Sequence, residues 1–114
     1  MHFEDAGVVL DLLGPRAVCY HLKDYVIAGS NVGFSVSGAP FGEGRIGAPS
    51  LLRRIMRCDS TPQIFLETWT PASSVLEDDG ERDAQWLASS VRNLNQLLSE
   101  DLASPPSASA GPQQ

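Results

Sequence analysis

A histidine and a glutamate lie at corresponding points of two strand-like runs of the sequence, each just before a loop. His21 lies near the end of a run that starts at Ala17, and Glu67 lies near the end of a run that starts at Gln63. Neighbouring parallel strands are about 4.8 Å apart, so both side chains could reach one ion at about 2.0–2.2 Å. An imidazole and a carboxylate suit a divalent cation such as Mn, Co, Zn or Mg. The pair predicts half of a metal site. The alternative is that the two residues lie at the strand ends and bind no metal.

Two charged residues follow His21 along the chain. Lys23 shares the strand face of His21, and Asp24 begins the next loop. A carboxylate in this place can orient the imidazole or bind substrate hydroxyls. The alternative is an exposed ion pair between Lys23 and Asp24, which would contribute little to stability.

A glycine-rich segment offers a different function. Residues 42–47 match the pattern G-x-G-x-x-G, and Glu67 follows the last glycine by 20 residues. In a dinucleotide-binding module the glycines approach the pyrophosphate and the acidic residue contacts the ribose. That fold requires an apolar strand directly before the first glycine, however, and Gly38 and Pro40 make a poor central strand. A small dinucleotide-binding module that uses Gly42–Gly47 and Glu67 is therefore our alternative hypothesis.

Composition excludes several other classes of protein. The chain has 114 residues, with 14 acidic and 8 basic side chains and a net charge of -6. We expect no nucleic-acid partner, because that affinity depends on clustered cations that neutralise phosphates. The sequence contains no Walker-type phosphate loop, no Gly-x-Ser-x-Gly elbow and no Cys-x-x-Cys pair. It also has no apolar run long enough for a membrane span, so we expect no membrane partner and a cytoplasmic location.

Helical and strand-like patterns alternate along the chain, which is typical of an α/β fold with a parallel sheet. The last helix has the strongest apolar periodicity, and a Ser-, Pro- and Ala-rich segment follows it. We predict one ordered domain over residues 1–102 and a disordered tail over residues 103–114. The predicted elements are a helix over 6–13, a strand over 17–23, a glycine-rich loop over 25–47 with one short extended piece at 33–36, a helix from Pro49 to about Cys58, a strand over 63–69, an acidic polar stretch over 77–83 and a helix from Ala84 to about Leu98.

Three segments, taken in order, resemble the last third of the xylose-isomerase-like TIM barrels. They are His21–Tyr25, Gly38–Ile46 and Ile64–Glu67, and the resemblance extends from about Ala6 to Leu98. This superfamily includes sugar-phosphate isomerases and epimerases, such as the tagatose and psicose 3-epimerases, and the relatives of endonuclease IV. The resemblance implies a partial (β/α)8 barrel of about two parallel strands, three helices and a long glycine-rich loop.

The resemblance also implies an activity and the residues that carry it. In such enzymes a divalent metal polarises the oxygens of a sugar during proton transfer, so the implied cofactor is Mn, Co, Mg or Zn and the implied ligand is a sugar or sugar phosphate. His21 and Glu67 would be metal ligands, and Glu67 would also act in proton transfer. The implied substrate-binding residues are Lys23, Asp24, Gly42, Glu43 and Gly44.

The resemblance is incomplete in one respect. The superfamily takes two further metal ligands, a glutamate and an aspartate, from earlier strands, and two strands cannot close a barrel. We therefore expect a truncated member of the family that is inactive alone. Assembly of several copies, or of a complementary chain, through open strand edges is the way in which it would regain activity.

Overall fold

Over the residues that the structure describes, the protein is a mixed α/β structure with three α-helices and two small sheets. The computed structural model describes residues 4–58, 62–71 and 76–103. The predicted tail, apart from Ala103, lies outside these residues. In chain order the elements are α1 (Ala6–Leu13), a 3₁₀ turn (Gly14–Arg16), β1 (Cys19–Leu22), β2 (Asp24–Ser30), β3 (Gly33–Ala39), α2 (Ala48–Met56), β4 (Gln63–Leu66) and α3 (Leu76–Ala103).

The two strands predicted to be parallel neighbours do pair in this way. β1 and β4 form a parallel two-stranded sheet in which Cys19 is opposite Gln63 and Leu22 is opposite Leu66. Both strands are shorter than predicted, because they end before Lys23 and before Glu67. The residues predicted to carry chemistry therefore lie at and just beyond the carboxyl ends of the strands, where parallel sheets commonly place their sites.

The helices cover one face of this sheet. Leu22 is buried, and Tyr20, Ile64 and Leu66 pack against the same core from the sheet side. Phe65 points to the opposite face and is 48% exposed. A parallel sheet is normally buried on both faces, so the face that carries Phe65 lacks the cover expected for this kind of sheet within the described residues. The core side chains are Leu10, Leu22, Phe41, Ala48, Leu51, Leu52 and Ile55.

The first helix has the predicted bounds. Asp5 caps α1 by accepting a hydrogen bond from the Val8 amide at 3.0 Å, which satisfies one of the free donors of the first turn. Arg54 of α2 binds Asp11 of α1 at 2.7 Å. This ion pair and the buried Leu10 hold the two helices together on the sheet.

Most of the predicted glycine-rich loop is in fact an antiparallel hairpin. β2 and β3 pair along their whole length, and only residues 40–47 form a loop before α2. Glycines hid the alternating pattern of a strand, because Gly38 is opposite Tyr25 and Gly29 is opposite Phe34. Each of these pairs presents only one side chain, so hydrophobic periodicity could not reveal the hairpin.

The last helix starts earlier than predicted. It begins at Leu76 rather than Ala84 and includes the whole acidic stretch, residues 77–83, that was predicted to precede it. Acidic residues are favourable near a helix N-terminus, where the backbone dipole is positive, and a single Gly80 costs only about 1 kcal/mol in a helix. Among the described residues, none of the helices is both long and apolar enough to cross a membrane.

The face that α3 packs against the core also differs from the apolar stripe that the sequence predicts, which consists of Ala84, Leu87, Ala88, Val91, Leu94 and Leu98. Leu94 and Leu97 pack against the core, whereas Leu87 and Val91 are 47% and 42% exposed. Ser90, rather than an apolar residue, is the fully buried side chain among the residues of this helix whose burial is described. The apolar period therefore predicted a helix over residues 84–98 but assigned the wrong residues of this part to the interior.

A buried carboxylate joins the hairpin to the loop that follows it. Asp24 is only 2% exposed, and its two oxygens accept hydrogen bonds of 2.8–3.0 Å from four backbone amides. A carboxylate that only accepts can satisfy several donors at once. The four amides belong to Tyr25, Gly42, Gly44 and Ile46.

The last helix holds the same loop from the other side. The hydroxyl of Ser90 accepts from the Phe41 amide at 2.9 Å and donates to the Trp86 carbonyl. Asn93 donates to the Phe41 carbonyl at 2.9 Å and to Glu43 at 3.2 Å. Residues 41–46 are thus anchored by the Asp24 carboxylate and by two polar side chains of α3.

We predict that Asp24→Asn destabilises the protein by about 2–4 kcal/mol. The NH2 group of asparagine would replace one carboxylate oxygen, and the backbone amides that donate to this oxygen would be left inside the protein without an acceptor. Urea unfolding followed by circular dichroism measures the change. The matched control is Asp11→Asn, which removes only the exposed ion pair with Arg54 and should cost about 1 kcal/mol or less. Equal effects of the two variants would contradict the role assigned to Asp24.

Candidate functional site

Glu67 lies between a histidine and a lysine at the end of the parallel sheet. His21 is opposite Phe65 in the sheet register, and the same register continued beyond the strands sets Lys23 opposite Glu67. The Glu67 amide donates to the Leu22 carbonyl at 2.9 Å, which continues the pairing. The sequence predicted that His21 and Glu67 occupy equivalent positions, but the register makes Lys23 the equivalent of Glu67.

The Glu67 carboxylate uses a different oxygen for each neighbour. Oε1 lies 2.8 Å from Lys23 Nζ, and Oε2 lies 3.5 Å from His21 Nδ1. The hydrogen bond from Lys23, with its charge and the nearby His21, lowers the pKa of Glu67 below its usual value. Glu67 is therefore an anion near neutral pH, with one oxygen held by the ammonium group and the other turned towards the imidazole.

The site is open to solvent. The side chains of His21 and Glu67 are 62% and 46% exposed. The imidazole lies against Phe65, with ring centroids 5.2 Å apart and planes tilted by 30°. This contact gives the ring an apolar support on the uncovered face of the sheet, while its Nδ1 stays directed at Glu67.

The donor set fits a divalent ion only in part. His21 Nδ1 and Glu67 Oε2 are 3.5 Å apart, a separation that two ligands of one ion at about 2.1 Å each can have. Within the described residues, however, no group of three or more His, Cys, Asp or Glu side chains could hold a metal. Lys23 is a cation that competes for the same carboxylate. These residues can therefore supply two ligands, and a complete site needs others.

Trp69 follows Glu67 and lies against the hairpin. A Cβ atom built on Gly38 would come within 1.7 Å of the Trp69 carbonyl oxygen, so only glycine permits this approach of the two backbones. The indole is 46% exposed. Close packing of its backbone on β3 thus holds Trp69 beside the carboxyl end of β4.

An open pocket of about 320 Å³ lies next to the charged cluster. Its surface is almost entirely apolar, although Lys23 connects it to Glu67. The volume falls in the range of small-molecule sites. The pocket is lined by Lys23, Asp24, Tyr25, Val36 and Trp69.

The structure separates the predicted site residues into three groups. His21, Lys23 and Glu67 form the charged cluster. Asp24 binds the amides of Gly42 and Gly44, so its oxygens are engaged by the loop. The third group is Glu43, which is bound by Asn93 of α3. Direct contact of Asp24, Gly42, Glu43 and Gly44 with a substrate stays a prediction.

The loop over residues 42–47 does lead from a strand into a helix, as a dinucleotide fold requires, but its donors are already used. The amides of Gly42, Gly44 and Ile46 all donate to Asp24. A Cβ on Gly44 would lie 2.2 Å from that carboxylate, so the absence of a side chain at Gly44 leaves room for Asp24. A pyrophosphate would have to displace Asp24, and this geometry disfavours dinucleotide binding.

Sequence reasoning missed the residues that complete the site. Tyr25 and Val36 line the pocket only because the hairpin brings them there, and the hairpin itself was not predicted. The role of Lys23 as the partner of Glu67 depends on the strand register. A signal was available, since Lys23 is the only lysine of the chain and follows His21 on the same strand face.

Comparison of the chain with protein-family models, with curated proteins and with solved structures found no match.

We predict that Lys23→Met raises the pKa of Glu67 towards its usual value, because the lysine is the main cause of the lowering. The ion pair contributes to stability above the ordinary glutamate pKa, and this contribution is lost as the pH falls through the lowered value. Carbon-detected NMR titration of the Glu67 carboxyl measures the shift. Lys23→Arg keeps the positive charge and should keep the pKa low, and an unchanged pKa in Lys23→Met would refute the assignment.

A second prediction concerns the support of Trp69. Gly38→Ala should destabilise the protein by about 1–3 kcal/mol and shift the tryptophan fluorescence, since the new methyl group must push the Trp69 backbone away. Gly29→Ala is the control in the same hairpin, where nothing lies within 4 Å of the added atom. It should leave stability equal or slightly higher. If the two variants had the same melting temperature, Gly38 would not be the point at which the hairpin contacts the Trp69 backbone.

Proposed function

We propose that this chain provides part of a divalent-metal-dependent sugar isomerase or epimerase site, in which Glu67 moves a proton at a carbon next to a carbonyl. The observation that carries the proposal is the position of Glu67 between His21 and Lys23 at the carboxyl ends of two parallel strands. A partial TIM barrel, as the resemblance implies, belongs to the same proposal. The cytoplasmic location also stays a prediction.

Glu67 has the properties of a base in such a reaction. Its lowered pKa keeps it ionised, and its exposed carboxylate can reach a substrate that approaches from the open side of the sheet. A low pKa makes a carboxylate a weaker base, so the substrate proton must itself be acidified. A divalent metal bound by His21 and Glu67 would supply that polarisation.

Lys23 and His21 have distinct parts in the proposal. The ammonium group of Lys23 has three donors, and its hydrogen bond to Glu67 uses one of them. A remaining donor can stabilise the oxygen on which negative charge develops when the substrate loses its proton. His21 Nδ1, which faces the second carboxylate oxygen, would be the nitrogen ligand of the pair.

The other metal ligands would come from groups beyond the described residues. β1 and β4 form a sheet of two strands, so each has one edge without a partner among these residues. Strand edges of this kind pair readily with other chains. We propose that a second copy or a complementary chain adds there and completes the ligand set.

The experiment is calorimetric titration of the chain with Mn²⁺ at neutral pH. We expect His21→Ala and Glu67→Gln each to weaken Mn²⁺ binding by more than about tenfold, the lower limit for losing even an outer-sphere partner. Lys23→Met should strengthen it, because a cation that competes for Glu67 is removed. The control is Glu81→Gln, an exposed glutamate of α3 that bonds to Gln85.

Two outcomes decide the proposal. Sedimentation with and without Mn²⁺ should show that the metal promotes association of wild-type chains but not of Glu67→Gln. If His21→Ala and Glu67→Gln bind Mn²⁺ as tightly as the wild type, the metal site is not here and the proposal fails.

A further inference from the structure

The outer part of the β2 and β3 hairpin is uncovered. In β3 the residues from Gly33 to Val36 are exposed, whereas Gly38 and Ala39 are buried where the hairpin meets the Trp69 backbone. Val32, in the turn, is 98% exposed. A two-stranded hairpin alone is only marginally stable in water, so a partner that covers this outer part would stabilise it.

One face of the hairpin is apolar and the other is polar. Ile27 of β2 is opposite Val36 of β3, and Phe34 lies on the same face as Val36 because side chains alternate along a strand. Phe34 is 50% exposed and Val36 is 36% exposed. Ser35 and Ser37 lie on the opposite face. The exposed part of β3 thus has the alternation of a strand that lies in a larger sheet.

The hairpin carries no charge. Residues 25–42 contain no acidic, basic or histidine side chain, although the whole chain has a net charge of -6. Two copies of an acidic chain repel each other across charged surface. The hairpin is a surface at which two copies can approach each other without this repulsion.

The free edge of β3 can accept a further strand. Every second residue of an antiparallel strand directs its amide and carbonyl away from its partner strand, and within the described residues β3 pairs only with β2. Proteins usually protect such an edge with a charge, a proline or a bulge, and β3 has none of these. The edge of β2 is partly occupied, because the Arg45 amide donates to the Tyr25 carbonyl at 2.8 Å.

We propose that β3 pairs with β3 of a second copy of this chain, antiparallel and about a two-fold axis at Ser35, to form a four-stranded sheet. In this register Phe34 of each copy is opposite Val36 of the other, and the two Ser35 residues are opposite each other. Aromatic and β-branched side chains form favourable cross-strand pairs. The pairing covers Gly33 to Ser37, and a shift of one residue would set Phe34 beside serine.

A second copy satisfies both the apolar face and the free edge. A lipid surface could take up Val32 and Phe34, but it would leave the amides and carbonyls of the edge without hydrogen bonds. A charged peptide would find no complementary charge on the hairpin. Another β3 supplies an identical edge with the same Phe-Ser-Val-Ser alternation. This contact is separate from the edges of β1 and β4, and it requires neither Glu67 nor a metal.

The test is sedimentation equilibrium of the full chain in the presence of a metal chelator. One short strand buries less than the about 800 Å² per partner of a standard stable interface. We therefore expect a monomer–dimer equilibrium with a dissociation constant on the order of 10–100 µM. Glu67→Gln should associate like the wild type, which separates this contact from the metal-dependent assembly proposed above.

Charges placed on the two-fold axis identify the register. Ser35→Lys and Ser35→Glu each set two like charges opposite each other and should raise the dissociation constant more than about tenfold. An equal mixture of the two variants should restore association, because opposite charges then face each other across the axis. The control is Ser99→Lys, at an exposed serine of α3. It changes the net charge as Ser35→Lys does and should associate like the wild type.

Four outcomes would overturn the proposal. The first is a wild-type chain that stays monomeric at concentrations about tenfold above the expected range, and the second is Ser35→Lys that dimerises as tightly as the wild type. The third is a mixture of the two Ser35 variants that stays monomeric although circular dichroism shows both to be folded. The fourth is a monomer that binds phosphatidylcholine vesicles instead. Each leaves Mn²⁺ binding at His21 and Glu67 unaffected, so the proposed function is tested separately.

Discussion

The buried carboxylate of Asp24 is the interaction on which the rest of this structure depends. It follows directly after β1 and Lys23, and of its four backbone donors one lies in the first strand of the hairpin and three lie in the loop after the hairpin. A charge buried to this degree is stable only if its hydrogen bonds are made. The loop that returns from the hairpin must therefore close around Asp24, and α2 begins from that closed loop at Gly47, which has φ +73°.

The charged cluster and the pocket are consequences of this arrangement. With the loop closed around Asp24, Gly38 of the hairpin meets the Trp69 backbone, and Val36 and Trp69 line the same pocket. Lys23, adjacent to Asp24, is then held opposite Glu67 by the register of β1 and β4. An apolar wall and an ionised carboxylate thus become neighbours, although they come from segments about 30 to 45 residues apart in sequence.

Sequence reasoning was successful where local pattern and capping decide the structure. The bounds of α1 and the parallel pairing of the two strands were both predicted. The hairpin was not predicted. Its strands contain glycines in place of alternating side chains, and the Asp24 carboxylate that holds the following loop binds backbone amides, so neither feature produces a periodic pattern of side chains. His21 and Glu67 could be selected from the sequence because each lies at a strand end. The pairing of Lys23 with Glu67 could not be predicted, because it depends on how the two strands are aligned with each other.

Amide hydrogen exchange of the wild-type protein tests the central claim that Asp24 organises the loop. The account predicts that the amides of Tyr25, Gly42, Gly44 and Ile46 exchange together, at rates close to that of global unfolding, because one buried acceptor protects all four. The amide of Val32, in the exposed hairpin turn, is the fast reference. Exchange of the four amides as fast as that of Val32, or at four unrelated rates, would contradict the account.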